Sequence, residues 1–327
     1  MSGPDGLVEA FRGLPIPIRS GDRETFMAVP IDPEGHFRIA KDVSGNPVLL
    51  VAAPDPESGP ALPPVHLRRL TVQHDLRALV QSPAGRAEVV TARFTVIRSL
   101  DPELVQHFLR ICWPIVQSLQ ENPSRSRISE VVTRLADLFQ MLSRSARTTA
   151  QGLWAELFII SQASDPQRLV DGWHQDPEER FDFALGSDRL EVKSFSGPRR
   201  IHHFSLEQLR PPSALSVSVA SIQTIRSSGG PSIAELMRRI QGALRDPEAA
   251  LAVEHIVAES LGEGLRRESL RSFDEEIAKE TLRVYSAESL PSVDPKVPER
   301  IHGVRFMSDL EGLPGLSELS APFFDQR

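Results

Sequence analysis

A mixed α/β fold is predicted by three features of the sequence. The first hundred residues carry short runs of Val, Ile, Phe and Thr separated by Gly, Pro, Asp and Asn, which is the composition of strands and turns. Two segments between Leu104 and Leu142 place apolar residues at helical spacing. After Thr148 a helical segment, an alternating hairpin, a short capped helix and a second alternating segment follow one another, which is an α+β order.

Taken in order, "TFMAVPI", "HFRIA", "PVLLVAA" and "RAEVVTARFTVI" are the expected strands of a β-rich N-terminal region, residues 1–100. Within it "APDPESGPALPP", residues 53–64 with five prolines, is expected to be an extended surface loop. Helices are expected over Leu104 to Gln120 and Ile128 to Leu142, broken at "NPSRSR", and together they form a helical connector, residues 101–147. The core, residues 148–245, begins with "TTAQGLWAELFIISQ", which is apolar on nearly all faces and should be buried. An extended piece, "RLVDGWH", leads to the hairpin "FDFALGSDRLEVKSF". "SLEQL" starts a helix with Ser205 as N-cap that Pro211 and Pro212 end, and "SALSVSVASIQTI" is a strand. Helices at Ser232 to Leu244 and Glu248 to Leu261, then strands in "TLRVYSAESL" and "RIHGVRFM", lead into a C-terminal region, residues 246–327, expected to pack on the core.

Composition narrows the class. Among 327 residues, 40% are hydrophobic and 25% charged, values of an ordinary globular chain. No run approaches the ~18 apolar residues of a membrane span, and "MSGPDGLVEAFRGLPIPI" lacks the basic and apolar blocks of a signal peptide, so a cytoplasmic protein is expected. The single cysteine, Cys112, fits a reducing compartment and a buried structural thiol. A net charge of −7 means that any nucleic-acid contact must come from a local patch.

The hairpin carries the chemistry. With its tip at Ser187 and Asp188, antiparallel pairing sets Leu185 opposite Leu190, Phe183 opposite Val192 and Asp182 opposite Lys193. Asp182, Glu191 and Lys193 then share one face, away from Phe181, Phe183, Leu185, Leu190 and Val192. Glu191 lies diagonally from Asp182, about 7 to 8 Å away by backbone geometry, a spacing at which two carboxylates can share a divalent cation. Glu156 is the only charge in "GLWAELFII", and a carboxylate on a buried helix needs a partner. A shared cation would serve, as would an arginine or an exposed stripe. The plain alternatives are a hairpin with a solvated polar face and a cross-strand Asp182–Lys193 ion pair.

Asp182, then Glu191-Val192-Lys193, with Glu156 on the preceding helix, resembles the active-site signature of the PD-(D/E)XK nuclease superfamily. The order of helix, antiparallel meander, helix and strand is that superfamily's restriction-endonuclease-like core. "GLWAELFII", "FDFAL" and "LEVKSFSGPRRIHHFSLEQLRPP" are similar to a group of stand-alone bacterial members found near restriction and phage-defence genes. Phe181 stands where the superfamily name has proline.

The resemblance implies an Mg2+-dependent DNA endonuclease, with Mn2+ as a substitute ion. It makes Asp182 and Glu191 the principal ligands, the Val192 carbonyl a further one, and Glu156 the residue that completes the shell directly or through water. Lys193 would orient the attacking water or stabilise the pentavalent phosphate, and Gln208 would support the site. Between residues 189 and 210, Arg189, Lys193, Arg199, Arg200 and Arg210 oppose only Glu191 and Glu207, with His202 and His203 beside them. That local reversal of charge is where a phosphate backbone could lie, most simply that of double-stranded DNA. ATPase or methyltransferase subunits of a defence complex are compatible partners, as is a second copy of the chain. The alternative function is a catalytically inactive nuclease fold that binds DNA or acts as a scaffold. Other chemistries lack support: nine histidines form no H-E-x-x-H, there is no nucleophile elbow or phosphate-binding glycine loop, and Trp154 and Trp173 are expected in the core.

Overall fold

A computed structural model describes residues 3–52, 61–83, 90–119, 124–142, 148–174, 180–210, 214–293 and 303–316. Most of the proline-rich loop, and both Pro211 and Pro212, lie outside them. The chain divides into two compact units, Met1–Arg144 and Ser145–Arg327. The fold is mixed α+β. Among the described residues no helix is long and apolar enough to cross a membrane.

The first unit contains helix α1 (Gly3–Gly13), strands β1 (Thr25–Pro30), β2 (Phe37–Lys41), β3 (Pro47–Ala52), β4 (Val65–His66), β5 (Leu70–Gln81) and β6 (Val90–Ser99), and helices α2 (Val105–Leu119) and α3 (Arg125–Met141). The strands pair in the order β1-β2-β3-β6-β5-β4, and β5 also returns to β1 in parallel. Five strands therefore close into a small barrel, whose interior holds Phe26, Ala28, Ala40, Val48, Leu50, Ala78, Val80, Phe94 and Val96. On β3 the alternate residues are buried as well, because α2 packs outside it, so the strand is apolar throughout. Cys112 is buried in α2, which pushes its thiol up well beyond the usual range. Four expected strands correspond to β1, β2, β3 and β6, whereas α1 and β5 had not been anticipated.

At the turn between β2 and β3, Asp42 is buried. Its Oδ1 accepts from Ser44 N (2.9 Å) and Asn46 N (2.8 Å), and its Oδ2 accepts from Asn46 Nδ2 (2.9 Å) and faces Arg98 Nε at 3.2 Å. Both of its oxygens are satisfied within the fold.

The second unit starts with α4 (Ala150–Gln162) and α5 (Pro166–Asp171), followed by β7 (Phe183–Leu185), β8 (Asp188–Phe195), β9 (Ile201–Ser205), α6 (Leu206–Leu209) and β10 (Ser216–Gln223). Next come α7 (Ile233–Ala243), α8 (Pro247–Leu261), α9 (Leu265–Glu268), α10 (Glu275–Thr281), β11 (Arg283–Ser286) and β12 (Arg305–Asp309). The sheet order is β11-β10-β8-β7, with β10 parallel to β8, and β9 pairs with β12 in a separate ribbon. Helix α4 packs on β8 together with α7 and α8, and Trp154 and Trp173 are fully buried, as expected. Phe181, Phe204, Leu209, Val217, Val219, Tyr285 and Leu290 form another apolar cluster, which contains residues of both β9 and β10.

Three local expectations are corrected. The hairpin pairs Phe183 with Leu190 and Leu185 with Asp188, two residues out of the expected register. The cause is the place of the tip, which falls at Gly186 and Ser187 rather than at Ser187 and Asp188, with Gly186 at φ +61°, the conformation such a turn requires at its first central position. Segment "RLVDGWH" is not extended: Asp165 caps a helix with Pro166 in its first turn, and only Trp173 bridges to Phe183. Phe181 leaves the layer of Phe183 and joins the cluster of Phe204 and Val219, because strand alternation does not extend upstream of Phe183.

Candidate active site

Helix α4 begins at Thr149, whose side chain accepts from Gly152 N. Glu156 in its middle is only 6% exposed. Its Oε2 is held by Trp173 Nε1 at 2.8 Å and lies 2.9 Å from His174 Nε2. Both partners come from the chain that leaves α5. At Gly172 a Cβ would lie 2.5 Å from the Ala184 carbonyl oxygen, so glycine allows this segment to pass β7. His174 follows in the left-handed region at φ +45°, with its N–H donating to the Asp182 carbonyl at 3.0 Å.

Asp182 stands one residue before β7. Its Oδ2 accepts the Val192 N–H at 2.7 Å, so this carboxylate takes up a backbone donor just beyond the last β7–β8 pair. Glu191 and Lys193 pair with Val219 and Ser221 of β10 and share one sheet face. On the opposite face Ser194 meets Gln151 of α4 at 3.3 Å. The site therefore sits where β7 ends and β8 continues.

Glu191 is 5% exposed. Its Oε1 receives Lys193 Nζ at 2.6 Å and Gln208 Nε2 at 2.7 Å. Its Oε2 is buried with no hydrogen-bond partner among the described residues. Gln208 also closes a capping box with Ser205, since its Oε1 accepts from Ser205 N at 3.0 Å while Ser205 Oγ accepts from Gln208 N. The start of α6 thereby aims an amide at Glu191. Lys193 Nζ lies 5.3 Å from the centroid of the Phe204 ring.

Burial, with crowding of like charge added to it, sets the electrostatics. Burial, then the Glu191 and Glu156 carboxylates, raise the Asp182 pKa well above the usual range, against the Val192 N–H and Lys193. Burial also raises Glu191; Lys193 opposes this, and Glu156 adds to it. Burial disfavours the charged His174 ring, but its hydrogen bond to Glu156 and the charges of Glu156, Glu191 and Glu259 outweigh that and raise its pKa.

Ligand atoms of Glu156, His174 and Asp182 all lie within 4.8 Å of one another, a group that could hold a metal ion. Glu191, expected as a principal ligand, is not one of these three; its charge acts on Asp182 and His174, and its Oε1 is taken by Lys193. Trp173 as an anchor of Glu156, and His174, were missed from sequence; the signals available were Asp165-Pro166 opening a short helix and Gly172 closing it. Asp32, Glu34 and His36 form a second such group in the first unit, where Asp32 accepts the N–H groups of His36 (2.9 Å) and Phe37 (2.7 Å) within a turn.

The expected nucleic-acid residues separate into two pairs. Arg200 is turned inward: its Nη1 donates to Ser221 O (2.9 Å) and Oγ (2.7 Å), its Nη2 donates to Thr281 O (2.7 Å), and it stacks over Phe195. His202 is buried against Ser221 Oγ at 2.7 Å, and burial, then Lys193 and Arg200, lower its pKa to about 4. Arg199 pairs with Asp309 but is 66% exposed, and His203 is exposed on the other side of β9.

Helix, hairpin and parallel strand around an acidic cluster define a nuclease-like α+β unit. The chain matches, over residues 7–311, the family described as "Putative PD-(D/E)XK family member, (DUF4420)", and it belongs to that family. No curated protein and no solved structure matches it.

Proposed function

We propose that this protein is an Mg2+-dependent DNA endonuclease acting within a bacterial restriction or anti-phage system. One observation carries the reading. Among the described residues the buried Oε2 of Glu191 has no hydrogen-bond partner, while its Oε1 holds the Lys193 amine and the Asp182 and Glu156 carboxylates lie near enough to act on one another's charge. An unpaired buried carboxylate oxygen is costly, and a hard divalent cation is the partner that such an oxygen-rich set fits. Asp182 and Glu191 would be the principal ligands, with the Val192 carbonyl and Glu156 completing the shell. When bound, such an ion supplies an activated water and relief of charge at the phosphate. Lys193 holds a proton-rich amine where the attacking water or the phosphoryl oxygens would lie, and Gln208 fixes the carboxylate beside it. Trp173 keeps Glu156 aimed into the cluster.

Double-stranded DNA is the proposed substrate. Arg199 and His203 present basic groups to it, while Arg200 and His202 brace the strands behind them. ATPase or methyltransferase subunits, or a second copy of the chain in the cytoplasm, are the proposed partners.

Supercoiled plasmid incubated with Mg2+ tests the reading, with Asp182→Ala and Lys193→Ala alongside. Wild type should nick or linearise the plasmid, and each variant should be slower by about a thousandfold, the scale of several kcal/mol of lost charge stabilisation. Mg2+ should also raise the melting temperature of the wild type but not that of Glu191→Ala. An Mg2+-induced shift without cleavage would favour the inactive scaffold instead.

A further inference from the structure

We infer that His174 is a nitrogen ligand of the metal at this site, so that the cluster takes a first-row divalent cation such as Mn2+ in preference to Mg2+. This inference rests on the proposed metal site. Its argument begins with distances. His174 Nε2 lies 2.9 Å from Glu156 Oε2 and 4.0 Å from Asp182 Oδ1. Two donors each about 2.1 Å from one octahedral ion stand about 3.0 Å apart when adjacent and about 4.2 Å apart when opposite. The imidazole nitrogen is thus already spaced from both carboxylates as a ligand would be.

Burial gives an independent reason to place an ion here. Glu191 adjoins the same cluster, and its buried Oε2 has no hydrogen-bond partner among the described residues. The backbone points the same way. His174 adopts φ +45°, a left-handed conformation that disfavours side chains with a Cβ, and its N–H is clamped to the Asp182 carbonyl at 3.0 Å. Trp173, buried against Glu156, fixes the preceding residue. The chain is held in an unfavourable conformation that brings this ring to the carboxylates. The ring remains 37% exposed, which leaves a route for an ion from solvent.

Ligand chemistry then sets the choice of ion. Carboxylates, carbonyls and water suit Mg2+, whereas an imidazole in the set favours first-row transition ions, which accept nitrogen more readily. In the metal-free protein Nε2 and Glu156 Oε2 share a hydrogen bond; a ligating Nε2 gives up that proton, and the ring carries its hydrogen on Nδ1.

The test uses the full chain with MnCl2 or MgCl2 as probes. Pulsed electron paramagnetic resonance of the Mn2+-loaded protein should show nitrogen-14 modulation from one imidazole, and His174→Asn should abolish it. Asparagine tolerates the left-handed backbone but is too short to ligate there. Calorimetric titration of the same variant should show Mn2+ binding weakened by about tenfold or more, since even outer partners of ligands change affinity by about 10 to 100-fold. Mg2+ binding should change by less than about threefold, because on this reading the oxygen set holds that ion without help. His174→Gly, which adopts φ +45° without strain, should melt at or above the wild-type temperature without metal and show the same loss of Mn2+ preference. Bound Mn2+ without nitrogen modulation, or modulation that survives His174→Asn, would overturn the ligand assignment and leave the oxygen-ligand site standing. No binding of either ion by the wild type would overturn both.

Discussion

The two units each bury a carboxylate beside a strand end and treat it in opposite ways. In the first, Asp42 is met by Ser44 N, Asn46 N, Asn46 Nδ2 and the Arg98 guanidinium, and both of its oxygens are taken up. In the second, Asp182 receives one backbone N–H and lies among the charges of Glu191 and Glu156, while among the described residues Glu191 keeps one oxygen unmatched. One arrangement stabilises a turn. The other keeps negative charge together at the expense of stability, as is common where a site is built for a ligand rather than for folding.

Neutralising each group should therefore act with opposite sign. Asp42→Ala strands two backbone N–H groups and removes the buried one of the two carboxylates that face Arg98, and should destabilise the first unit by about 3 to 5 kcal/mol in urea unfolding. Asp182→Asn keeps an acceptor for Val192 N–H but removes a crowded charge, and should stabilise the metal-free protein by about 0.5 to 2 kcal/mol at pH 8. A loss of stability in Asp182→Asn would break the comparison.

Titration sharpens it. Asp182 and Glu191 hold protons more tightly folded than unfolded. Their stabilising contribution is complete below the ordinary carboxylate range, about pH 4, and is lost as pH rises through their raised folded values. His202 acts from the other side. With its pKa lowered to about 4, its contribution is complete above the ordinary imidazole value near 6.5 and falls as pH drops toward 4. Melting temperatures of the metal-free protein between pH 4 and 9 should show the alkaline loss, which Asp182→Asn should reduce and His202 variants should not. The smallest expected effect is at Gln208. Gln208→Leu removes one arm of a capping box and one donor to Glu191, and should lower stability by about 0.5 to 1 kcal/mol in thermal melts.

Much of this was legible in the sequence where local rules and tertiary structure agree. The N-cap at Ser205 and the burial of α4 follow from short-range patterns that packing reinforces, and β10 was legible as a strand from its alternating Ser and Val although both of its faces are buried. Strand β5 was not legible, because a bulge between Gln73 and Leu76, with Asp75 at φ +54°, interrupts its alternation. Helix α1 was hidden by the glycines and proline of "GPDGLVEAFRG", although Leu7, Val8 and Phe11 form one buried stripe. In the site, Glu191 and Lys193 fell on a common face of β8 despite the wrong register, since a slip of two residues preserves which face each side chain takes, and Asp182, one residue before β7, is tied to that strand by the Val192 N–H. His174 was legible only through the Asp165-Pro166 start and Gly172 end of a six-residue helix, since its position depends on a left-handed residue just after that helix.

The return of β5 to β1 has a consequence for how the first unit can be used. Each of the five strands that close on themselves has a neighbour on both sides, with β1 and β5 meeting over Thr25–Met27 and Leu79–Gln81. Closure leaves a visiting polypeptide little strand edge to extend, and favours recognition of the pattern of side chains on the outside of the cylinder or the loops at its rims. Mutational mapping of any recruitment by this unit therefore belongs on those surface positions, where single substitutions can abolish attachment without opening the ladder.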